Sequence, residues 1–207
     1  PLMNPIDSAS HGDRWYVYLL ALMDCSAFKA GFSCNPFHRA FAFSHRYFEQ
    51  FDLHESLFAR MDSCDAARKL EAEIKSDLAT YRSECPPWVP IEAGGHTEWF
   101  DAAHLGYTRT RLQALDDGSR LITASDFIRM ELQQQTASFE LWAVHQANFI
   151  AQALSSSVDA HMALRVARSL RDWLDAYRSC GIALFTDDPA VLAFVKEAVG
   201  HAARPVI

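Results

Sequence analysis

With 207 residues, half of them apolar, and a formal net charge of −7, the chain can bury one large core or two modest ones. No apolar run reaches the length of a membrane helix, and the N-terminus lacks the charged-then-apolar pattern of an export signal, so a soluble cytoplasmic protein with no membrane partner is expected. Residues 1–103 hold 9 Lys+Arg against 15 Asp+Glu and residues 104–207 hold 10 against 11, a balance that argues against gripping nucleic acid by bulk charge.

Pro1-Leu2 ahead of Met3 reads as a cloning remnant, with Met3 the expected native start. Trp15 to Leu22 is rich in aromatic and aliphatic residues at strand length, and Ala27 to Ser33 has the same character. The polar Met23-Asp24-Cys25-Ser26 between them reads as a hairpin loop. Asn35-Pro36 starts a helix, since Asn accepts from free N–H groups and Pro at the first position gives up nothing. Phe37, Phe41, Ser44, Phe48 and Phe51 then recur at helical spacing and predict one aromatic, buried face.

A third strand is expected over residues 57–61. The next helix starts at Asp62-Ser63, with Ala67, Leu70, Ile74, Leu78 and Tyr81 as one apolar stripe. Pro86-Pro87, Pro90 and Gly94-Gly95 mark a loop, and residues 96–100 read as a short last strand. The fold class expected is α+β, with a first domain over 14–103 and an all-helical second domain over 104–207. In the latter, Asp126 is the expected cap of a helix to about residue 154. A second helix runs from Val158 to a stop at Cys180-Gly181, and a third starts at Asp188-Pro189 and ends at Gly200.

Five scattered cysteines without a C-x-x-C pair argue against a zinc site or disulfide framework. His38, His45, His96 and His104 share no helical ligand spacing. Arg168, Arg171 and Arg178 nearly share a helix face with Asp172 and Asp175, which suggests an ion-paired, solvated surface.

One set of blocks carries more specific information. Val17-Tyr18 is followed by Phe28-Lys29-Ala30-Gly31, then Ser33-Cys34-Asn35-Pro36-Phe37-His38-Arg39. Downstream lie Ala67, Leu70, Glu71, Ile74 and Lys75, and then Gly95-His96-Thr97-Glu98-Trp99-Phe100. In order and spacing these blocks resemble the GIY-YIG nuclease superfamily, in particular a branch whose second motif reads Lys-Ile-Gly and continues into Asn-Pro-x-x-Arg. The resemblance covers about half the chain and implies a small sheet flanked by helices. In many members a histidine follows the arginine by one helical turn; Phe43 stands there in this chain.

The resemblance implies a metal-dependent endonuclease that hydrolyses DNA phosphodiester bonds, with Tyr18, Lys29, Arg39 and Glu71 catalytic and Tyr16 the alternative tyrosine. Arg39 would stabilise charge on the phosphorane-like transition state. Glu71 would hold a single Mg²⁺ or Mn²⁺. Tyr18, if its phenol is pushed toward ionisation by Arg39, Lys29 or metal-bound water, would orient or deprotonate the attacking water. Without the resemblance, Tyr18 reads as a packed aromatic, Lys29 as a solvated strand residue, and Glu71 with Lys75 as an i,i+4 surface pair. A second function therefore stands beside the first, a catalytically degenerate domain that binds a protein partner as a regulator or inhibitor. The helical region would serve targeting or homodimerisation through the apolar face of residues 127–154.

Overall fold

Continuous apolar character suits a strand covered on both faces. Trp15–Leu22 takes that place as β1, the central strand of a five-stranded antiparallel sheet. The computed structural model describes residues 14–116, 118, 120–156 and 160–184. β2 (Ala27–Ser33) and β3 (Phe51–Met61) flank β1, with β4 (Trp99–Asp101) outside β2 and β5 (Leu121–Thr123) outside β3. In the β1–β2 register Tyr18 faces Gly31 and Leu20 faces Lys29. Directly opposed residues share a sheet face, so Tyr18, Gly31 and Lys29 lie together. Between β1 and β3 the register slips from Leu19↔Leu57 to Ala21↔Asp52. The buried Ser56 hydroxyl fills the gap, accepting from Ala21 N at 2.9 Å and donating to Asp52 O at 2.6 Å.

The helix expected to carry Phe37 through Phe51 is two helices. α1 (Pro36–Phe43) is capped by Asn35, whose Oδ1 accepts from His38 N at 2.8 Å. Ser44 then turns extended, α2 (Tyr47–Gln50) follows, and Phe51 opens β3. Phe37, Ala40, Phe43 and Tyr47 are buried, whereas Phe41 and Phe48 are only partly so. α3 (Cys64–Asp77) is capped by Ser63, whose Oγ accepts from Ala66 N at 3.1 Å. Its Ala67, Leu70 and Ile74, with Leu78 just beyond, pack against Val17, Leu19, Phe28, Ala30 and Phe100. Tyr81 does not extend that stripe; it lies past the helix, half-exposed, and stacks on His104.

The region after residue 104 is not wholly helical. α4 (Leu105–Gln113) is followed by β5, which pairs with β3. α5 (Ala124–Ser156) is capped by Thr123 rather than by Asp126: Thr123 Oγ1 accepts from Asp126 N at 3.0 Å and donates to the Asp126 carboxylate at 2.8 Å. Phe127, in the first turn of α5, packs edge-on against Tyr16 and Phe58 of the sheet.

The chain divides into compact units between Ile128 and Arg129, further along than the change of pattern at residue 104. The second unit holds the rest of α5 and α6 (Ala160–Ser179). Leu132, Phe139, Val166, Leu170, Trp173 and Tyr177 are buried there, with Phe139 stacked on Tyr177 and the Tyr177 hydroxyl donating to Leu132 O at 3.1 Å. Met162, at the start of α6, is exposed. Gly181, at φ 66°, ends α6 as expected. Met3 and the helix expected from Asp188-Pro189 lie outside the described residues. Among the described residues no helix is long and apolar enough to cross a membrane. The fold is α+β with a helical C-terminal region.

Candidate active site

Tyr18, Lys29 and Arg39 meet where β1, β2 and α1 adjoin. Asn35 and Pro36 set the start of α1, and Arg39, one turn in, reaches back to the sheet. Its Nε donates to the Tyr18 hydroxyl at 3.3 Å and its Nη1 to Ala93 O at 2.5 Å. Gly31, opposite Tyr18, leaves room for that hydroxyl: a Cβ there would stand 2.3 Å from it. No other residue type fits without moving Tyr18.

Lys29 is fully buried, 0% exposed, and not a solvated strand residue. Such burial of an ammonium is costly unless it is paired and hydrogen-bonded. Here its Nζ donates to Gly95 O at 2.7 Å and to the Glu98 carboxylate at 3.0 Å. It also lies 5.1 Å from the centroid of Phe43 and 5.4 Å from that of Trp99. Phe43 lies under the Arg39 guanidinium as well, at 4.5 Å. An aromatic face favours a cation above it, so Phe43 contributes a shared platform for the two cations.

Glu71, on α3, is 6% exposed. Its carboxylate accepts from Lys75 at 3.1 Å, the i,i+4 pair that its spacing suggests, but Lys75 also donates to Glu98 at 3.1 Å. Glu71, Lys75, Glu98 and Lys29 therefore form one chain of charge, joined to Arg39 and Tyr18 through the backbone of residues 93–95. Tyr16 is not in this network; its ring packs edge-on against Phe127.

Electrostatics follow from burial. Burial pushes the Tyr18 phenol up to about 12 despite the opposing pull of Arg39. That reverses the expected direction: Tyr18 keeps its proton through the neutral range. Burial also lowers the Lys29 pKa, and Glu98 only partly restores it. For Glu98, burial opposes ionisation, but Lys29 and Lys75 outweigh it and hold the carboxyl below its ordinary value. For Lys75 the two glutamates outweigh burial and raise the pKa.

A family model described as the T5orf172 domain matches residues 15–123. The chain belongs to the T5orf172 domain family. The T5orf172 span runs from β1 through β5 and so contains every member of the polar network. No curated protein and no solved structure matches the chain.

Glu98, Lys75 and the carbonyls of Ala93 and Gly95 belong to the site and were not singled out for chemistry from sequence. Glu98 stood only as a letter in the last strand's motif. One available signal was Lys29 itself, since a lysine in an apolar strand needs an anionic partner.

Proposed function

We propose that this T5orf172 domain is a GIY-YIG-type, metal-dependent endonuclease acting on DNA phosphodiester bonds, with the helical unit serving targeting or self-association. The observation that carries the reading is the pair of bonded groups, Tyr18 with Arg39 and Lys29 through Glu98 and Lys75 to Glu71, bridged by the carbonyls of residues 93 and 95 and the Phe43 ring within one 15–123 domain. A guanidinium and an ammonium on one platform stabilise the negative charge that builds on a pentacovalent phosphate. Tyr18, protonated at neutral pH, acts by hydrogen bonding: it orients the attacking water and keeps Arg39 in register.

The donor set fits a hard divalent cation. Among the described residues no cluster of three or more His, Cys, Asp or Glu is present, but Mg²⁺ needs only one or two carboxylates beside water and substrate oxygens. Glu71 and Glu98 are two such carboxylates, each on Lys75, which must yield to admit the ion. When bound, the ion would stabilise charge on the phosphate.

A second reading, a non-catalytic domain that binds a protein partner, is favoured by one observation: the Arg39 and Lys29 donors already have backbone carbonyls as partners. Incubation of supercoiled plasmid with the full chain in Mg²⁺ or Mn²⁺ separates the two. Nicked or linear product from the wild type, lost in Arg39→Ala and in Glu71→Ala, is expected. Cleavage that survives both substitutions contradicts the site, and no cleavage by the wild type favours the second reading.

A further inference from the structure

Two carbonyl oxygens occupy the positions on Arg39 and Lys29 where an anion's oxygens would bind. They belong to Ala93 and Gly95, in a short segment with unusual backbone: residues 91–93 form one turn of 3-10 helix, then Gly94 and Gly95 take φ of 65° and 70°. Left-handed geometry at consecutive positions is readily adopted by glycine. The hydrogen bonds that shape the segment are local, from Ala93 N to Pro90 O at 3.0 Å, Gly94 N to Ile91 O at 3.1 Å and Glu98 N to Gly95 O at 3.3 Å. Trp88 anchors its base against Phe51 and Trp99. Ile91, at its tip, is 83% exposed. The segment thus reaches the site through the two cations, with the Ala93 side chain buried beneath it.

We propose that residues 91–95 form a strap that closes the Arg39–Lys29 site, its Ala93 and Gly95 carbonyls standing in for two oxygens of a phosphate group, and that a phosphate-bearing ligand binds by displacing it. The strap rests on the phosphodiesterase reading and adds to it the resting state of the same site. It accounts for the complete burial of Lys29, which a ligand reaches only when the Gly95 carbonyl departs. Partial negative charge on a carbonyl is exchanged for the full charge of a phosphate oxygen, and a guanidinium can pair with phosphate through two parallel bonds where it now meets one carbonyl, so the exchange favours the ligand.

Gly95 offers a clean perturbation. A Cβ there would stand 2.6 Å from Lys29 Nζ, 2.7 Å from the Glu98 carboxylate and 3.2 Å from Arg39 Nη2, whereas a Cβ on Gly94 meets nothing within 4 Å. Both glycines have positive φ, so Gly94→Ala carries the backbone strain without the collision and serves as the control. Inorganic pyrophosphate, a phosphate probe independent of DNA, is titrated into the full-length variants by calorimetry, with folding checked by circular dichroism. Gly95→Ala is expected to bind at least roughly threefold more tightly than Gly94→Ala, because less of the protein stays in the closed state. In the wild type, pyrophosphate is expected to speed hydrogen exchange at the amides of Ala93, Gly94 and Glu98, a readout that stands if Gly95→Ala does not fold. Equal affinities of the two variants, strap amides slowed or unchanged by bound pyrophosphate, or no pyrophosphate binding to any form would overturn the strap. Strap release by pyrophosphate in a protein that never cuts plasmid would retain the strap and remove the nuclease.

Discussion

The two compact units bury different chemistry. Among the described residues, the buried polar side chains Lys29, Ser56, Glu71, Thr108 and Ser125 all precede Arg129. Past that point the interior is Leu132, Phe139, Ala143, Val166, Leu170, Trp173 and similar residues, and its charges lie outward, as in the exposed Arg178 bonded to Asp175. Buried ion pairs add little net stability, so stability alone does not account for Lys29, Glu98 and Glu71 in or at the core of this unit. The helical unit is organised by packing, whereas the α+β unit carries an expensive polar network on a packed scaffold.

The contrast can be broken at several points. The largest effect is expected from Phe139→Ala, which should cost about 3–5 kcal/mol of stability in the helical unit, while amide protection in the sheet stays unchanged. Loss of protection in β1 and β2 would show that the units do not fold independently. Glu98→Gln comes next, at about 3 kcal/mol by chemical denaturation, because it strands Lys29 as a buried unpaired charge. Its sign with pH is fixed: the folded pKa of Glu98 lies below the ordinary 4.5. Its contribution is therefore present above the unfolded carboxylate range and lost as pH falls through the folded value. Acid denaturation of Glu98→Gln should accordingly be less steep than that of the wild type in this window.

Lys29→Met removes the buried charge and leaves Glu98 its bond to Lys75. Stability should change by about 1 kcal/mol or less, since a hydrophobic replacement of similar volume is often neutral, while plasmid cleavage is lost. Retained cleavage would remove Lys29 from the site. Asn35→Ala acts on stability alone, at about 1 kcal/mol for a lost helix cap, measured as a modest fall in melting temperature with cleavage retained.

Elements with local signals were legible in the sequence. β1, β2 and α3 announced themselves by apolar runs, by period and by the Ser63 cap. The break between α1 and α2 did not, because Ser44-His45-Arg46 contains neither Gly nor Pro and the aromatic spacing runs across it. β5 is three residues long and exists through its pairing with β3, a non-local fact. The site divides in the same way. Tyr18, Lys29, Arg39 and Glu71 were named from ordered blocks, but the partner of Lys29 lies 69 residues away, and the carbonyls that meet Arg39 and Lys29 have no side chain to signal them. The burial that holds the proton on Tyr18 was not legible, because it depends on α1 and the opposed Gly31 and not on its own strand.

The claim that the polar network cuts DNA is tested most directly by single-turnover cleavage of a duplex in Mg²⁺, comparing wild type with Arg39→Ala and Phe139→Ala at a temperature where all three retain the α+β unit. The account predicts a fall of roughly a hundredfold or more for Arg39→Ala, the scale of losing one transition-state donor, with the chemical step of Phe139→Ala close to wild type. Equal rates for wild type and Arg39→Ala would contradict it.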